Sequence, residues 1–132
     1  MRVPSLLGVA ALVMCVSATP LIAHHSFAVE YDADKPIAFS GVVTRVEWTN
    51  PHARIYVDAV DAKGQTHNWN LELASPSALA RNGWSSRTLK AGDKVKVDGF
   101  EGRAKDTYRM NAKSLVLPDG RSLFSGAADD QR

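Results

Sequence analysis

Two stretches of the chain alternate between apolar and polar residues, the pattern of a β-strand with one buried face. The first stretch covers residues 40–48 and the second covers residues 53–60. In the first, the positions predicted to face inward are Val42, Thr44, Val46 and Trp48. In the second, they are Ala53, Ile55, Val57 and Ala59. The pattern therefore predicts two consecutive half-buried strands.

The segment after the second strand predicts a hairpin. Residues 61–65, with a glycine near their end, fit a three-residue loop that includes a bulge. This loop sets Val57 opposite Trp69 on the inner face and Arg54 opposite Glu72 on the outer face. The register is consistent, because inward residues meet inward residues and an arginine meets a glutamate outside.

A short helix and two more strands follow the hairpin. Ser75 is a good N-cap, Pro76 suits the first helical position, and Gly83 suits the position just past the helix end. Alternation then predicts a fourth strand around Val95 and a fifth within residues 107–117. A short final extended piece follows a Pro-Asp-Gly turn.

The order of these elements predicts the fold class. Three strands, one helix and two strands is the order of the OB-fold, a partly open five-stranded barrel. We therefore predict a mostly β protein, a small OB-like five-stranded barrel with one short helix between strands 3 and 4. A five-stranded sandwich is the alternative, which the position of the helix disfavours.

The N-terminus predicts export. Arg2 precedes an uncharged apolar run over residues 6–16, which is the pattern of a signal peptide and is too short to span a membrane. We expect cleavage after Ala23, with cleavage after Ala18 as the alternative. The only cysteine, Cys15, lies inside this run, so the mature chain would hold no disulfide. Periplasmic or secreted localisation in a bacterium follows, with no membrane span after removal of the signal.

Four segments result from this interpretation. Residues 1–23 are the signal peptide, 24–38 an extended N-terminal arm, 39–125 the OB-like barrel and 126–132 a flexible tail. The whole chain has 16 Lys and Arg against 14 Asp and Glu, and removal of Arg2 brings the two nearer to balance. Charges of both signs are interspersed, whereas a nucleic-acid-binding protein usually carries a basic stripe. Nucleic acid is therefore not an expected partner.

Catalytic motifs do not emerge from the sequence. It has no nucleophile elbow, no phosphate-binding glycine loop and no zinc-protease helix motif. The acidic residues are spread over turns and outward strand positions. We therefore expect a binding or accessory protein, with an enzyme as the least favoured class.

The histidines give the most specific functional hypothesis. Cleavage after Ala23 would give His24 a free amine beside its imidazole, a pair of nitrogens that suits Cu(II) in tetragonal geometry. His25 or His52 would complete the set, so the predicted metal residues are His24, His25 and His52. Cleavage after Ile22 would instead make His25 the third residue, which also favours square-planar Cu(II) or Ni(II).

The predicted register separates the remaining histidines. His67 falls opposite Ala59, so about 23 Å separates it from His52 along the second strand, and one metal ion cannot use both. We expect His52 to be the ligand and His67 to be structural.

A metal-free function is the alternative hypothesis. Trp48, Asn50 and Arg54 lie near one end of the predicted barrel, where they could bind a small ligand or a partner protein of the cell envelope. Core packing of Trp48 and a turn at Asn50 are the competing structural explanations.

Five segments of the chain carry a resemblance to a known family. They are "HHSFAVEYDADKP", "GVVTRVEWTNPHARIYV", "WNLELASPSALARNGW", "LKAGDKVKVDG" and "LPDGRSLF". The chain resembles a family of small secreted bacterial proteins classed only as a domain of unknown function. The resemblance implies an exported, β-rich domain without an assigned activity. The positions that match the shared pattern are His24, His25, Trp48, Asn50, Pro51 and His52.

Overall fold

Strands dominate residues 27–126, the part of the chain that the computed structural model describes. The elements are α1 (Phe27–Glu30), β1 (Tyr31–Glu47), β2 (Arg54–Val60), β3 (Thr66–Glu72), α2 (Pro76–Arg81), β4 (Lys94–Gly102), β5 (Arg109–Val116) and β6 (Ser122–Phe124). The mostly β class is confirmed, as is a short helix between the third and fourth strands. The predicted signal peptide lies outside the described residues.

The strand pairings form a closed ring. β1 pairs antiparallel with β2 and β4, β2 with β3, and β4 with β5. A parallel pairing between β3 and β5 completes the ring over Asn70–Arg109, Leu71–Met110 and Glu72–Asn111. The ring order is therefore β1-β2-β3-β5-β4.

A sixth strand corrects the predicted count of five. β6 is the extended piece after the Pro-Asp-Gly turn, and it pairs antiparallel with β5 from Ser114 to Val116. Because the β3–β5 pairing ends at Asn111, the later residues of β5 are free to pair with β6.

The first strand begins earlier than predicted. Residues 31–38, placed by the sequence in an arm before the barrel, form the start of β1. Pro36 pairs with Phe100, and the ladder to β4 continues to Val42. Residues 33–36 are all exposed. Their side chains therefore do not alternate between apolar and polar, and the sequence does not indicate a strand here. Pairing with β4 makes residues 31–38 part of a strand.

A β-bulge in β1 reverses the predicted faces of its middle residues. Val43 is 1% exposed and Val42 is 39% exposed, so the prediction that Val42 and Thr44 face inward is wrong. The register with β2 shifts between Val43 and Arg45, and the extra residue moves the following side chains to the other face. Val46 and Trp48 consequently do pack against the core.

The β2–β3 hairpin has the predicted register. Val57 pairs with Trp69 and Arg54 with Glu72, and the inward residues of β2 are buried. Gly99 in β4 lies close to the backbone of β5, because a Cβ there would lie 2.0 Å from the carbonyl oxygen of Asn111. The core lies inside the ring.

Helix α2 follows its predicted capping signals. The Ser75 side chain accepts a hydrogen bond from the Ala78 amide, and Pro76 occupies the first turn. Gly83 then adopts a φ of 88°, which allows the chain to leave the helix. Trp84 is buried after this turn and donates its indole N–H to the Phe124 carbonyl at 3.1 Å. In residues 27–126, neither helix has the length and apolarity required to cross a membrane.

Candidate functional site

The loop between β1 and β2 carries three of the predicted site residues. Trp48 is half-buried against the core, and Asn50 is exposed and precedes the cis bond to Pro51. His52 is half-buried directly before the buried Ala53. The loop therefore presents one amide and one imidazole beside a packed indole.

The imidazole of His52 has a defined hydrogen-bonded orientation. Its Nδ1 lies 3.1 Å from the carbonyl oxygen of Leu73. A carbonyl oxygen only accepts, so Nδ1 carries the proton and donates it. In the neutral ring this leaves a lone pair on Nε2, and no side chain of residues 27–126 hydrogen-bonds to that atom. A nitrogen in this state can bind a metal.

Arg54 is held by its neighbours on the outer face of the ring. Its guanidinium donates to Asn70 Oδ1 at 3.1 Å and to Glu72 Oε2 at 3.0 Å. Glu72 is 4% exposed, although its outward position in β3 predicted a solvated carboxylate. Arg54 therefore stabilises a buried acid as well as lying near the predicted ligand surface.

Burial of Glu72 comes from the N-terminal end of the described chain. Tyr31, itself 1% exposed, donates its hydroxyl to Glu72 Oε2 at 3.0 Å. Burial first, and the negative charge of Glu72 second, raise the pKa of Tyr31 above its ordinary value. The Phe27 ring packs 5.7 Å from the Tyr31 ring and 5.5 Å from the Phe100 ring. We name the segment Phe27–Tyr31 the strap.

Two arginines from β5 and the loop before it hold the strap. Arg103 donates its Nε–H to the Ala28 carbonyl and its backbone N–H to the Glu30 carbonyl, both at 2.8 Å. Arg109 reaches the Glu30 carboxylate at 3.5 Å and Glu72 at 3.9 Å. These last distances are longer than the 2.7–2.9 Å typical of a charge-assisted hydrogen bond, so Arg109 is only loosely paired.

Asn111 lies in the same region without a hydrogen-bond partner. It is fully buried, and neither its Oδ1 nor its Nδ2 meets a donor or acceptor among residues 27–126. Cross-strand pairing sets it beside Phe100 on one side and Glu72 on the other. No feature of the sequence indicated this residue, because its outward position in β5 gave no sign of its burial.

Trp48 and Arg54 do come together, at a small apolar cleft. The cleft has a volume of about 10 Å³ and is also lined by Trp84 and the inner-face residues Ile55 and Leu73. This volume accommodates roughly one water molecule. Neither Asn50 nor His52 is among its lining residues. Of the predicted ligand surface, Trp48 and Arg54 thus line the cleft, whereas Asn50 lies outside it in the loop between β1 and β2.

His67 lies at the far end of β2 from His52. It pairs with Ala59, as the predicted register required. Its Nε2 donates to Asp61 Oδ2 at 2.8 Å, and its ring stacks on Tyr108 with centroids 4.1 Å apart. The hydrogen bond from His67 is the main cause that lowers the pKa of Asp61. These contacts give His67 a structural explanation.

The predicted metal residues are only partly within the described chain. His24 and His25 lie outside it, whereas His52 lies inside. Over residues 27–126, no group of three or more His, Cys, Asp or Glu side chains is arranged to hold a metal ion.

The fold and this surface define a small, mostly β protein whose strands close into a ring and whose strap covers the buried carboxylate of Glu72. The family model of DUF6152, a family of unknown function, matches residues 11–111. The chain belongs to this family, which confirms the predicted membership of a domain of unknown function. Comparison with curated proteins gave no match, and comparison with solved structures gave none either.

Proposed function

We propose that this chain is an exported, OB-like barrel protein that binds Cu(II) through its mature N-terminus. In this proposal, cleavage after Ala23 gives His24 a free amine and an imidazole, and His25 or His52 supplies further nitrogens. Imidazole and amine nitrogens suit Cu(II) in tetragonal geometry. The protein acts as a binding or accessory module of the bacterial envelope and not as an enzyme.

The OB-like assignment is supported by the connectivity of the ring. The closed order β1-β2-β3-β5-β4 contains one parallel joint, between β3 and β5, and α2 lies between β3 and β4. The OB-fold is a five-stranded barrel of this kind, whose loops bind ligands. β6 extends the ring without interrupting it.

The observation that carries the copper proposal is the hydrogen bond of His52. Metal-binding histidines usually donate their second ring N–H to a backbone carbonyl or a carboxylate, which fixes the tautomer and orients the ring. His52 makes this bond to the Leu73 carbonyl and keeps Nε2 free among the described residues. His67, by contrast, donates a hydrogen bond from its Nε2 to Asp61.

The strap supports the participation of the N-terminal histidines. His25 comes two residues before Phe27, and an extended chain covers at most about 3.3–3.6 Å per residue. The strap reaches Glu72, which binds Arg54, and Arg54 is two residues from His52. The chain upstream of Phe27 therefore starts from the outer face of the ring, on which Glu72 and Arg54 lie.

The test begins with the protein purified from the periplasm of an expressing bacterium. Intact mass and N-terminal sequencing are expected to give a chain that starts at His24. Cu(II) titration followed by electron paramagnetic resonance is expected to show a nitrogen-rich tetragonal site. The His24→Ala variant should lose it, and His52→Ala should weaken Cu(II) binding at least about tenfold.

His67→Ala is the matched control, because it removes one imidazole at the far end of β2 and should leave Cu(II) affinity unchanged. A mature chain that retains Ala23 or begins at Thr19 would exclude the amine ligand. Equal loss of binding in His52→Ala and His67→Ala would mean that copper binds histidines nonspecifically.

The alternative is a metal-free module that binds an envelope protein or a small ligand near Trp48, Asn50 and Arg54. The joint contribution of Trp48 and Arg54 to one cleft favours it. The small size of that cleft makes a partner protein a better candidate than a small ligand. In this case Trp48→Ala would abolish capture of the partner, and His24→Ala would leave capture intact.

A further inference from the structure

The outer face of the ring contains a polar row that the proposed copper site does not use. Cross-strand pairs join Phe100 to Asn111, Asn111 to Glu72, and Glu72 to Arg54. Directly paired residues share one face, so these four side chains lie side by side. Asn111 is the unusual member, because its carboxamide is fully buried and neither polar atom is hydrogen-bonded among residues 27–126.

An orphaned carboxamide requires two kinds of partner. Its Nδ2 needs an acceptor and its Oδ1 needs a donor. Burying such a group without them is costly, so an unpaired one in a native structure calls for a ligand or a bound solvent molecule. The neighbours of Asn111 along the row are an aromatic ring on one side and the Glu72 carboxylate on the other.

The strap shows what chemistry this surface accepts. Glu30 presents a carboxylate to Arg109 at 3.5 Å, and Tyr31 presents an O–H donor to Glu72 at 3.0 Å. The strap therefore offers one anion to Arg109, two residues before Asn111 in β5, and one donor to Glu72, the cross-strand partner of Asn111. It leaves Asn111 itself unsatisfied and pairs Arg109 only at long distance.

The strap is joined to the ring by a segment that can act as a hinge. The β1–β4 register is interrupted between Tyr31 and Pro36, and residues 33–36 are exposed. The strap is held by ring packing on Phe100, by the hydrogen bond from Tyr31 to Glu72 and by Arg103, whose side chain is 49% exposed. Lifting the strap would break these contacts and leave the inner core of the ring intact.

We propose that Asn111, Glu72 and Arg109 form a binding site for a free α-amino acid, and that the strap is its cover. The carboxylate of the amino acid accepts hydrogen bonds from Arg109 and from Asn111 Nδ2. Its ammonium group donates to Glu72 and to Asn111 Oδ1. One guanidinium and one carboxylate match the two charges of the zwitterion, and Glu30 with Tyr31 occupies the same residues when no ligand is bound. This site does not depend on the proposed copper function.

The test is a titration of the purified, isotopically labelled protein with glycine, followed by NMR of the Asn111 side-chain NH₂ and the Arg109 Nε–H. Saturable shifts of both signals are expected. Arg109→Gln should weaken glycine binding about tenfold to a hundredfold, because a charge-assisted hydrogen bond is lost. Asn111→Leu, which keeps the number and branching of the side-chain heavy atoms, should lose the response at Arg109.

A variant that loosens the strap makes the test specific. Arg103→Ala removes the side-chain contacts to Ala28 and Asp32, so the covered state becomes less populated and glycine affinity should rise. Merely structural damage would lower it instead. Acetate and methylammonium, which each carry half of the zwitterion, are the ligand controls and should bind more weakly than glycine.

Three outcomes would overturn the proposal. Acetate binding as tightly as glycine would reduce the site to a simple anion site. Absence of shifts in both the native protein and Arg103→Ala would mean that only a solvent molecule pairs with Asn111. Unchanged glycine binding in Asn111→Leu would locate the ligand elsewhere.

Discussion

The hydroxyl of Tyr31 offers a direct measure of how much the strap contributes to stability. Tyr31→Phe removes one oxygen from a side chain that is 1% exposed, and Glu72 Oε2 loses one of its two donors at 3.0 Å and keeps Arg54. A hydrogen bond to a charged group contributes about 1.5–3 kcal/mol. At about 4–8 °C per kcal/mol for a domain of this size, we expect the melting temperature to fall by roughly 6–24 °C.

The same substitution should change the alkaline limb of the stability curve. The pKa of Tyr31 is raised in the folded protein, chiefly by burial, above an unfolded value of about 10. Below pH 10 the phenol is protonated in both states, so its contribution is complete. Above pH 10 the unfolded state loses the proton first, and stability falls by up to about 1.4 kcal/mol per pH unit until the folded pKa is reached. Tyr31→Phe should lack this part of the decline.

Urea unfolding between pH 7 and pH 11, monitored by tryptophan fluorescence, measures both effects. Tyr56→Phe is the matched control, because its hydroxyl donates to Glu47 at 3.3 Å from a half-buried position. Its loss should be under about 1 kcal/mol. Equal losses of stability in the two variants, or a full alkaline decline in Tyr31→Phe, would contradict a stabilising hydrogen bond from the buried Tyr31 to Glu72.

Three further substitutions test separate features. Gly99→Ala should destabilise by about 3 kcal/mol or more in urea unfolding, since its Cβ would lie 2.0 Å from the Asn111 carbonyl oxygen. Gly102→Ala, whose nearest contact would be 3.2 Å, should cost clearly less, and equal losses would contradict the assigned β4–β5 approach. Asn111→Leu should raise the free energy of unfolding by about 1–3 kcal/mol, because it removes a buried unpaired carboxamide; a decrease would show that the amide is satisfied. Asp61→Asn should make the free energy of unfolding less sensitive to acid. The hydrogen bond from His67 lowers the pKa of Asp61 in the folded protein. The contribution of the Asp61 carboxylate to stability is therefore present above about pH 3.9 and is lost as the pH falls through the lower folded pKa. Urea midpoints between pH 2 and pH 6 that fall in parallel for this variant and the native protein would contradict it.

Local signals predicted the parts of the fold that depend on neighbouring residues. The hairpin register followed from loop length and alternation, and the α2 boundaries followed from Ser75, Pro76 and Gly83. The bulge after Val43 was not predictable, because Val42 and Val43 are equally apolar and only pairing with β2 and β4 decides which faces inward. The strand at residues 31–38 was not predicted for a related reason, because only pairing with β4 makes these residues a strand.

The candidate site likewise has one part that local sequence signals predicted and another part that they did not. The pairing of Arg54 with Glu72 was predictable from the hairpin register, and it is confirmed at 3.0 Å. The burial of Glu72 was not, because its cover is Tyr31, 41 residues away in the chain. Asn111 was equally hidden, since alternation in β5 gives the direction of its side chain but not its burial on the outer face.

The short parallel joint between β3 and β5 has a consequence for the behaviour of this protein in a crowded compartment. Only three residue pairs close the ring there, and parallel pairing is slightly weaker per residue than antiparallel pairing. If this joint opened, β3 and β5 would each present an unpaired strand edge, the kind of template on which chains add to one another. Resistance to aggregation would then depend on the β3–β5 pairing remaining intact. β6 pairs along the same edge of β5 and protects the end of that edge.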